Sequence, residues 1–252
     1  MAHLKKKKIY TRAIMLRRVE YAESDLIVDL LTRDEGVISC IARSARKSRK
    51  RFQGCTDYFI LMDVCITDTG TSGLAYLDQT KLVESWSEVS SDIRRYAYAS
   101  GIIEIVQKMT PHRQQDPELF RITCEALDAL ARQRMSTGLT LKHDLRLLGA
   151  LGFAPRMDEC ASCGTKAPDE ARAGFDPARG ILCSKCVKGT SRISGGVREC
   201  LMKVPDCDFN EESIDSMFEE SVLIEARRTL DEFITYQCQG LLVSRSIMDS
   251  ET

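Results

Sequence analysis

Cys160-Ala-Ser-Cys163 and, nineteen residues on, Cys183-Ser-Lys-Cys186 constrain this chain more than any other stretch of it. Each Cys-x-x-Cys knuckle offers two sulfurs from one tight turn, and two such turns close a tetrahedral shell around a zinc ion. Gly164 follows the first pair and Gly180 precedes the second, where turns with positive φ are required. A pair of disulfides and a redox dithiol are the competing readings of the same spacing. With Cys160, Cys163, Cys183 and Cys186 all bound, no position is left for water or substrate. The expected Zn²⁺, one per chain, is therefore structural, and the chain is expected to bind something rather than transform it.

The chain has 252 residues, enough for one large domain or two modest ones. Hydrophobic residues make up 43% and charged residues 29%, with no apolar run long enough to span a bilayer. Met1-Ala-His-Leu-Lys-Lys-Lys-Lys8 lacks the apolar stretch of a secretion signal, so a cytoplasmic protein without membrane contact is expected. Its eleven cysteines should then stay reduced, and the seven outside the knuckles read as small buried hydrophobes.

The net charge of −1 conceals a division. Residues 1–56 carry fourteen Lys/Arg against six Asp/Glu; the remainder carries twenty-two against thirty-one. A basic N-terminal part of this kind suits a polyanion, of which nucleic acid is the commonest.

From Tyr10 to Val83 the periodicity is that of strands: Arg12–Val19, Leu26–Thr32, Val37–Ala42, Tyr58–Thr67 and Leu74–Val83. Five short strands fit an OB-fold barrel, although a sandwich or an SH3-like barrel has the same pattern. Between the third and fourth strands, Arg43-Ser-Ala-Arg-Lys-Ser-Arg-Lys-Arg51 has six cations in nine residues, and no acid occurs between Glu35 and Asp57. It reads as an exposed loop touching phosphates through Arg43, Arg46, Lys47, Arg49, Lys50 and Arg51. Arg17, Arg18, Arg33 and Lys5–Lys8 extend the track, and Tyr10, Tyr21, Phe52 and Tyr58 are candidate stacking faces for unpaired bases. Asp68-Thr69-Gly70 resembles half of an aspartic protease site, but no second copy exists and a hairpin turn accounts for it.

After Val83 the period becomes helical. Ile93–Met109 ends before Pro111; Asp116-Pro117 caps a second helix; Leu141, Leu145 and Leu148 stripe a third, and a last helix carries Leu223, Leu230 and Phe233. The expected class is α+β: an N-terminal five-stranded OB-fold barrel (1–85), then an all-helical domain (86–252) with an inserted four-cysteine zinc module (156–190). His3, His112 and His143 sit in no nucleophile or zincin motif, and no phosphate-binding Gly-rich loop with Lys-Ser/Thr is present. No catalytic group suggests itself, so no enzyme is expected.

Tyr21-Ala-Glu-Ser-Asp-Leu26, Thr32-Arg-Asp-Glu-Gly36, Ala42-Arg-Ser-Ala-Arg-Lys47, Asp116-Pro-Glu-Leu-Phe120, Leu147-Leu-Gly-Ala-Leu-Gly-Phe153, the knuckles and Phe175-Asp-Pro-Ala-Arg-Gly180 occur here in order. Together they resemble the bacterial RecO family of recombination mediators. The resemblance implies an OB domain on a helical, often zinc-bearing domain in a nucleoid-associated protein. It implies binding of single- and double-stranded DNA, annealing of complementary strands, and loading of RecA, with RecR, onto strands coated by single-strand-binding protein (SSB). It also implies capture of the acidic SSB C-terminal tail, for which Phe120 and Leu127 beside Arg121 and Arg132 are the candidate pocket. The competing reading is a zinc-ribbon transcription or translation factor with its barrel on RNA.

Overall fold

The structure, a computed structural model, describes residues 6–48, 50–70, 73–166, 172–189, 191–207, 211–240 and 242–244. Lys5 and Arg49, both read above as cations of the track, lie outside the described residues. The chain divides into two compact units, 1–132 and 133–252.

In the first unit, strands β1 (Lys7–Tyr21), β2 (Asp25–Thr32), β3 (Gly36–Ala42), β4 (Ile60–Asp68) and β5 (Ala75–Ser85) close a barrel in the order β1-β2-β3-β5-β4. β1 is long enough to serve two partners. Its first half pairs antiparallel with β4 (Lys7 opposite Asp68, Ile14 opposite Leu61), its second half with β2 (Ala13 opposite Thr32, Tyr21 opposite Asp25). A bulge between Met15 and Arg17 bends the strand from one partner to the other. The ring is completed by a short parallel pairing of β3 with β5, Cys40 opposite Ala75. Alternate residues fill the interior, among them Ile9, Ala13, Met15, Val28, Leu30, Ile38, Met62 and Ile66.

One sector of the barrel's outside is apolar as well. Ile14, Leu16, Leu31 and Leu61 alternate with interior positions yet are buried, and helix α1 (Ile93–Met109) packs against β1. α2 (Pro117–Arg132) follows. Asp116 caps it, its side chain accepting from the Leu119 N–H at 2.8 Å. The α1–α2 connection crosses back to the β2–β3 hairpin. His112 bridges Val37, and the Arg113 N–H donates to the Val37 carbonyl. Arg113 also reaches Asp68 at 2.5 Å. Gly36, at φ +69°, lies under this connection; a Cβ there would stand 2.1 Å from the Gln114 carbonyl oxygen.

The second unit holds α3 (Thr137–Ala150), α4 (Gly195–Lys203), α5 (Glu211–Met217) and α6 (Glu220–Gln237). It also holds a three-stranded antiparallel sheet, β7-β6-β8, from β6 (Arg172–Asp176), β7 (Gly180–Leu182) and β8 (Arg192–Ser194). The sequence pattern did not mark these strands. Phe175 of β6 packs on Phe233 of α6 with ring centroids 6.4 Å apart, which ties the sheet to the helices. α3 carries an unexpected buried run, Lys142-His143-Asp144. Lys142 donates to the Cys207 carbonyl, Asp144 pairs with Arg227 at 2.8 Å, and both ring nitrogens of His143 are buried without a hydrogen-bond partner among the described residues.

Candidate metal centre and nucleic-acid interface

The four knuckle cysteines, two from each end of a nineteen-residue excursion, meet at one point. Their sulfurs all lie within 4.8 Å of one another, and Cys163 Sγ is 3.8 Å from Cys183 Sγ. Four sulfurs at ~2.3 Å from a common ion stand about 3.8 Å apart, so the cluster fits a tetrahedral metal. None of the eleven cysteines is in a disulfide, and at 3.8 Å Cys163 and Cys183 are well beyond the ~2.05 Å of an S–S bond.

Backbone geometry builds the cluster. The Gly164 N–H donates to the Cys160 carbonyl (2.8 Å), and the Cys186 and Val187 N–H groups both donate to that of Cys183 (3.0 Å). The Ala161 N–H donates to the Ile181 carbonyl at 2.8 Å, holding the first knuckle to β7. Gly164 has φ +71°, as its place after the knuckle predicts. Gly180 has φ +122°, and a Cβ on it would lie 2.3 Å from the Arg156 carbonyl oxygen. Burial opposes ionisation of the Cys160 thiol, but N–H groups of Cys183, Cys163 and Ser162 outweigh it and bring its pKa down to about 6. Cys186 moves the other way, up to about 12, through its hydrogen bonds with Cys163 and then Cys183. Such a donor set takes a soft or borderline divalent metal.

The basic loop 43–59 behaves differently from a simple exposed loop. Ala45, Phe52 and Cys55 turn into the barrel and join its core, so the segment plugs the open end between β3 and β4. The Arg46 N–H donates to the Ser24 carbonyl at 3.1 Å, fixing the loop against the β1–β2 turn. The Thr80 N–H donates to the Arg51 carbonyl at 2.8 Å, fixing it against β5. With the apolar residues inside, Arg43, Arg46, Lys47, Lys50 and Arg51 face solvent.

Their states differ. Arg43 lies 4.7 Å over the Tyr76 ring and donates to its hydroxyl, while Arg51 donates to the Arg43 carbonyl. Arg46 pairs with Glu20 at 2.9 Å. Lys47 and Lys50 have no ion-pair partner among the described residues. Arg18 joins the loop, donating to the Thr56 carbonyl and to Asp57 at 2.9 Å, while Arg17 stands 3.8 Å from Asp29. A groove of about 510 Å³ runs between Arg18, Glu20, Arg46, Ser48 and Phe52.

This geometry buries Phe52 and the apolar half of the acidic-tail candidate, and it sets Arg33 apart from the loop. Phe52 is 2% exposed and is core, so it offers no stacking face. Arg33 sits at the tip of the β2–β3 hairpin, whereas the loop leaves from the hairpin's other end; seven strand residues put roughly 20 Å between them. Of the pocket for an acidic tail, Phe120 is 5% and Leu127 0% exposed, because the apolar stripe of α2 faces the core. Arg121 lies on the opposite face paired with Glu118 and Glu125, and Arg132 with Glu84 and Asp128. Tyr10, Tyr21 and Tyr58 fare otherwise: Tyr10 and Tyr21 are exposed, and Tyr58 packs partly against the core.

The family model for the recombination protein O N terminal region matches residues 7–86, and that for its C terminal region matches residues 90–246. The chain belongs to this family. Among its relatives is the DNA repair protein RecO of Anaeromyxobacter sp. (strain K), 30% identical over 240 residues that make up 94% of each chain. Another is the DNA repair protein RecO of Listeria monocytogenes serotype 4a (strain HCC23), 34% identical over 176 residues, 69% of this chain and 66% of that one. The two family regions meet between residues 86 and 90, directly after β5. No helix among the described residues is long and apolar enough to cross a membrane.

Proposed function

We propose that the chain is a DNA repair and recombination mediator that binds single- and double-stranded DNA through the 43–59 loop. On this reading it anneals complementary strands and, with RecR, helps load RecA onto SSB-coated single strands, with the SSB C-terminal tail as a further partner. The observation that carries the reading is the anchoring of the loop. Ala45, Phe52 and Cys55 hold it to the barrel, so Arg43, Arg46, Lys47, Lys50 and Arg51 are displayed at one end of it, with Arg18 bonded to the same loop. Two strands neutralised on one such surface no longer repel each other, which is the physical requirement for annealing. Cys160, Cys163, Cys183 and Cys186 hold one Zn²⁺, which supplies folding energy to the second unit and takes no part in a reaction.

The test is the salt dependence of binding. Each phosphate contact on a single strand contributes roughly −0.7 to the slope of log K against log[salt]. The variant Arg46→Ala/Lys47→Ala/Lys50→Ala should flatten that slope by about 2, slow annealing, and weaken binding equally across sequences. An unchanged slope places the DNA on another face. Rapid annealing by the unaltered chain at low salt separates this reading from a sequence-specific RNA binder.

A further inference from the structure

On the outer face of β1, β4 and β5, cross-strand register places three rows of side chains side by side. Tyr10 stands opposite Cys65, and Cys65 opposite Gln79; Arg12 stands opposite Asp63, and Asp63 opposite Lys81; Lys8 stands opposite Thr67, and Thr67 opposite Tyr76. Tyr10 is 69% exposed, in the middle row. Beside it opens a groove of about 540 Å³ whose lining includes Tyr10, Arg12, Arg33, Gln79 and Lys81. The charge on this face is mostly positive. Arg12 is only loosely held by Asp63 at 3.6 Å, Lys81 has no ion-pair partner among the described residues, and Arg33, set apart from the loop by the hairpin, pairs with its neighbour Asp34 at 3.0 Å on the groove's rim. At the Tyr76 corner the face meets Arg43, the first cation of the loop.

An aromatic ring left this bare on a strand, ringed by cations and polar groups, matches a stacking platform for single-stranded nucleic acid. Every base has a π-face, but a base in a duplex has both faces occupied, so such a platform takes only unpaired bases. The geometry points to a second, single-strand-selective DNA contact surface on the outer β1-β4-β5 face, with Tyr10 as the base platform and Arg12, Arg33 and Lys81 on the phosphates. It rests on the DNA-binding reading above and adds a division of labour: the loop takes phosphates of either form, and this face takes unpaired strands alone.

The two surfaces respond differently to substitution. Fluorescence anisotropy with a labelled oligo(dT) and with a labelled hairpin duplex of matched charge, at one salt concentration, reads both. Base–aromatic stacking of ~1–3 kcal/mol corresponds to a loss of roughly 5- to 150-fold. Tyr10→Ala should weaken oligo(dT) binding by about 10-fold or more, leave the duplex unchanged, and Tyr10→Phe should restore the affinity. Tyr10 is exposed, so neither change threatens the fold. Arg12→Ala/Lys81→Ala should lower the single-strand salt slope by about 1.4. Unchanged oligo(dT) affinity in Tyr10→Ala, or an equal loss on both probes, overturns the proposal. Failure of the loop variant to alter either probe overturns the parent reading instead, since that variant leaves Tyr10 in place.

Discussion

Phe52 is the residue on which the basic loop turns, and its truncation separates a core role from a surface one. A phenylalanine side chain carries about 200 Å² of surface, so full burial at ~25 cal/mol/Å² is worth up to about 5 kcal/mol. Phe52, at 2% exposure, holds nearly all of that. Phe→Ala in a closed core costs ~3–5 kcal/mol, the upper end where the cavity cannot collapse. Here the site lines the 510 Å³ groove under Arg46 and Ser48, so solvent and loop can partly refill it. We expect Phe52→Ala to cost about 3 kcal/mol and Phe52→Leu about 1 kcal/mol. The chain's one tryptophan, Trp86, is buried in the first unit and donates from Nε1 to Asp128 at 3.2 Å, so its fluorescence reports that unit's unfolding. In urea, with a slope of ~1.5–2 kcal/mol/M, Phe52→Ala should move the Trp86 midpoint down by about 1.5–2 M. DNA affinity should fall for single strands and duplexes alike, because the loop loses its anchor. A variant with unchanged urea midpoint and a loss confined to single strands would refute the plug and return Phe52 to the surface.

Cys183→Ser should abolish metal binding at the four-cysteine cluster, measured by metal content, and broaden the melting of the second unit while leaving the Trp86 transition where it is; equal stability with and without metal would remove the structural role. His143 should make the second unit acid-sensitive. Burial first, then Arg146, hold its pKa down to about 4 from 6.5, so the unfolded chain takes up a proton that the folded one refuses. Stability is then intact above pH 6.5 and declines as pH falls toward 4, by up to ~3 kcal/mol. The His143→Leu variant, compared by circular dichroism over that window, should lose this component of the decline; parallel curves for the two proteins would show that His143 is not its source.

Much of this architecture is legible in the residues, for identifiable reasons. The barrel strands alternate cleanly because one face of each meets the interior, and the knuckles are legible because four ligands to one ion must come as two close pairs. The caps at Asp116-Pro117 are local, so sequence reveals them. The plug escaped because Ala45, Phe52 and Cys55 follow no period: a loop that dips into a barrel end does so wherever its turns allow. The strands of the small sheet span three to five residues, too few for alternation to register. Lys142-His143-Asp144 reads as solvent-facing, and only the surrounding helices make it interior. α2 misled in another way: its apolar and cationic residues are neighbours in sequence but lie on opposite faces of the helix, and the apolar face was already committed to the core.

The strap from α1 back to the hairpin decides where this chain can be cut. A fragment ending after β5 contains every barrel strand, yet it would bare Ile14, Leu16, Leu31 and Leu61 to water. It would also lose the Val37–His112 bridge beside the hairpin tip and the Arg113–Asp68 pair at the end of β4. The boundary that keeps α1, α2 and the barrel together falls after Arg132, where the compact unit ends. A sequence-family border and a folding border are thus some forty-five residues apart in the same chain, and an expressible barrel fragment should follow the second.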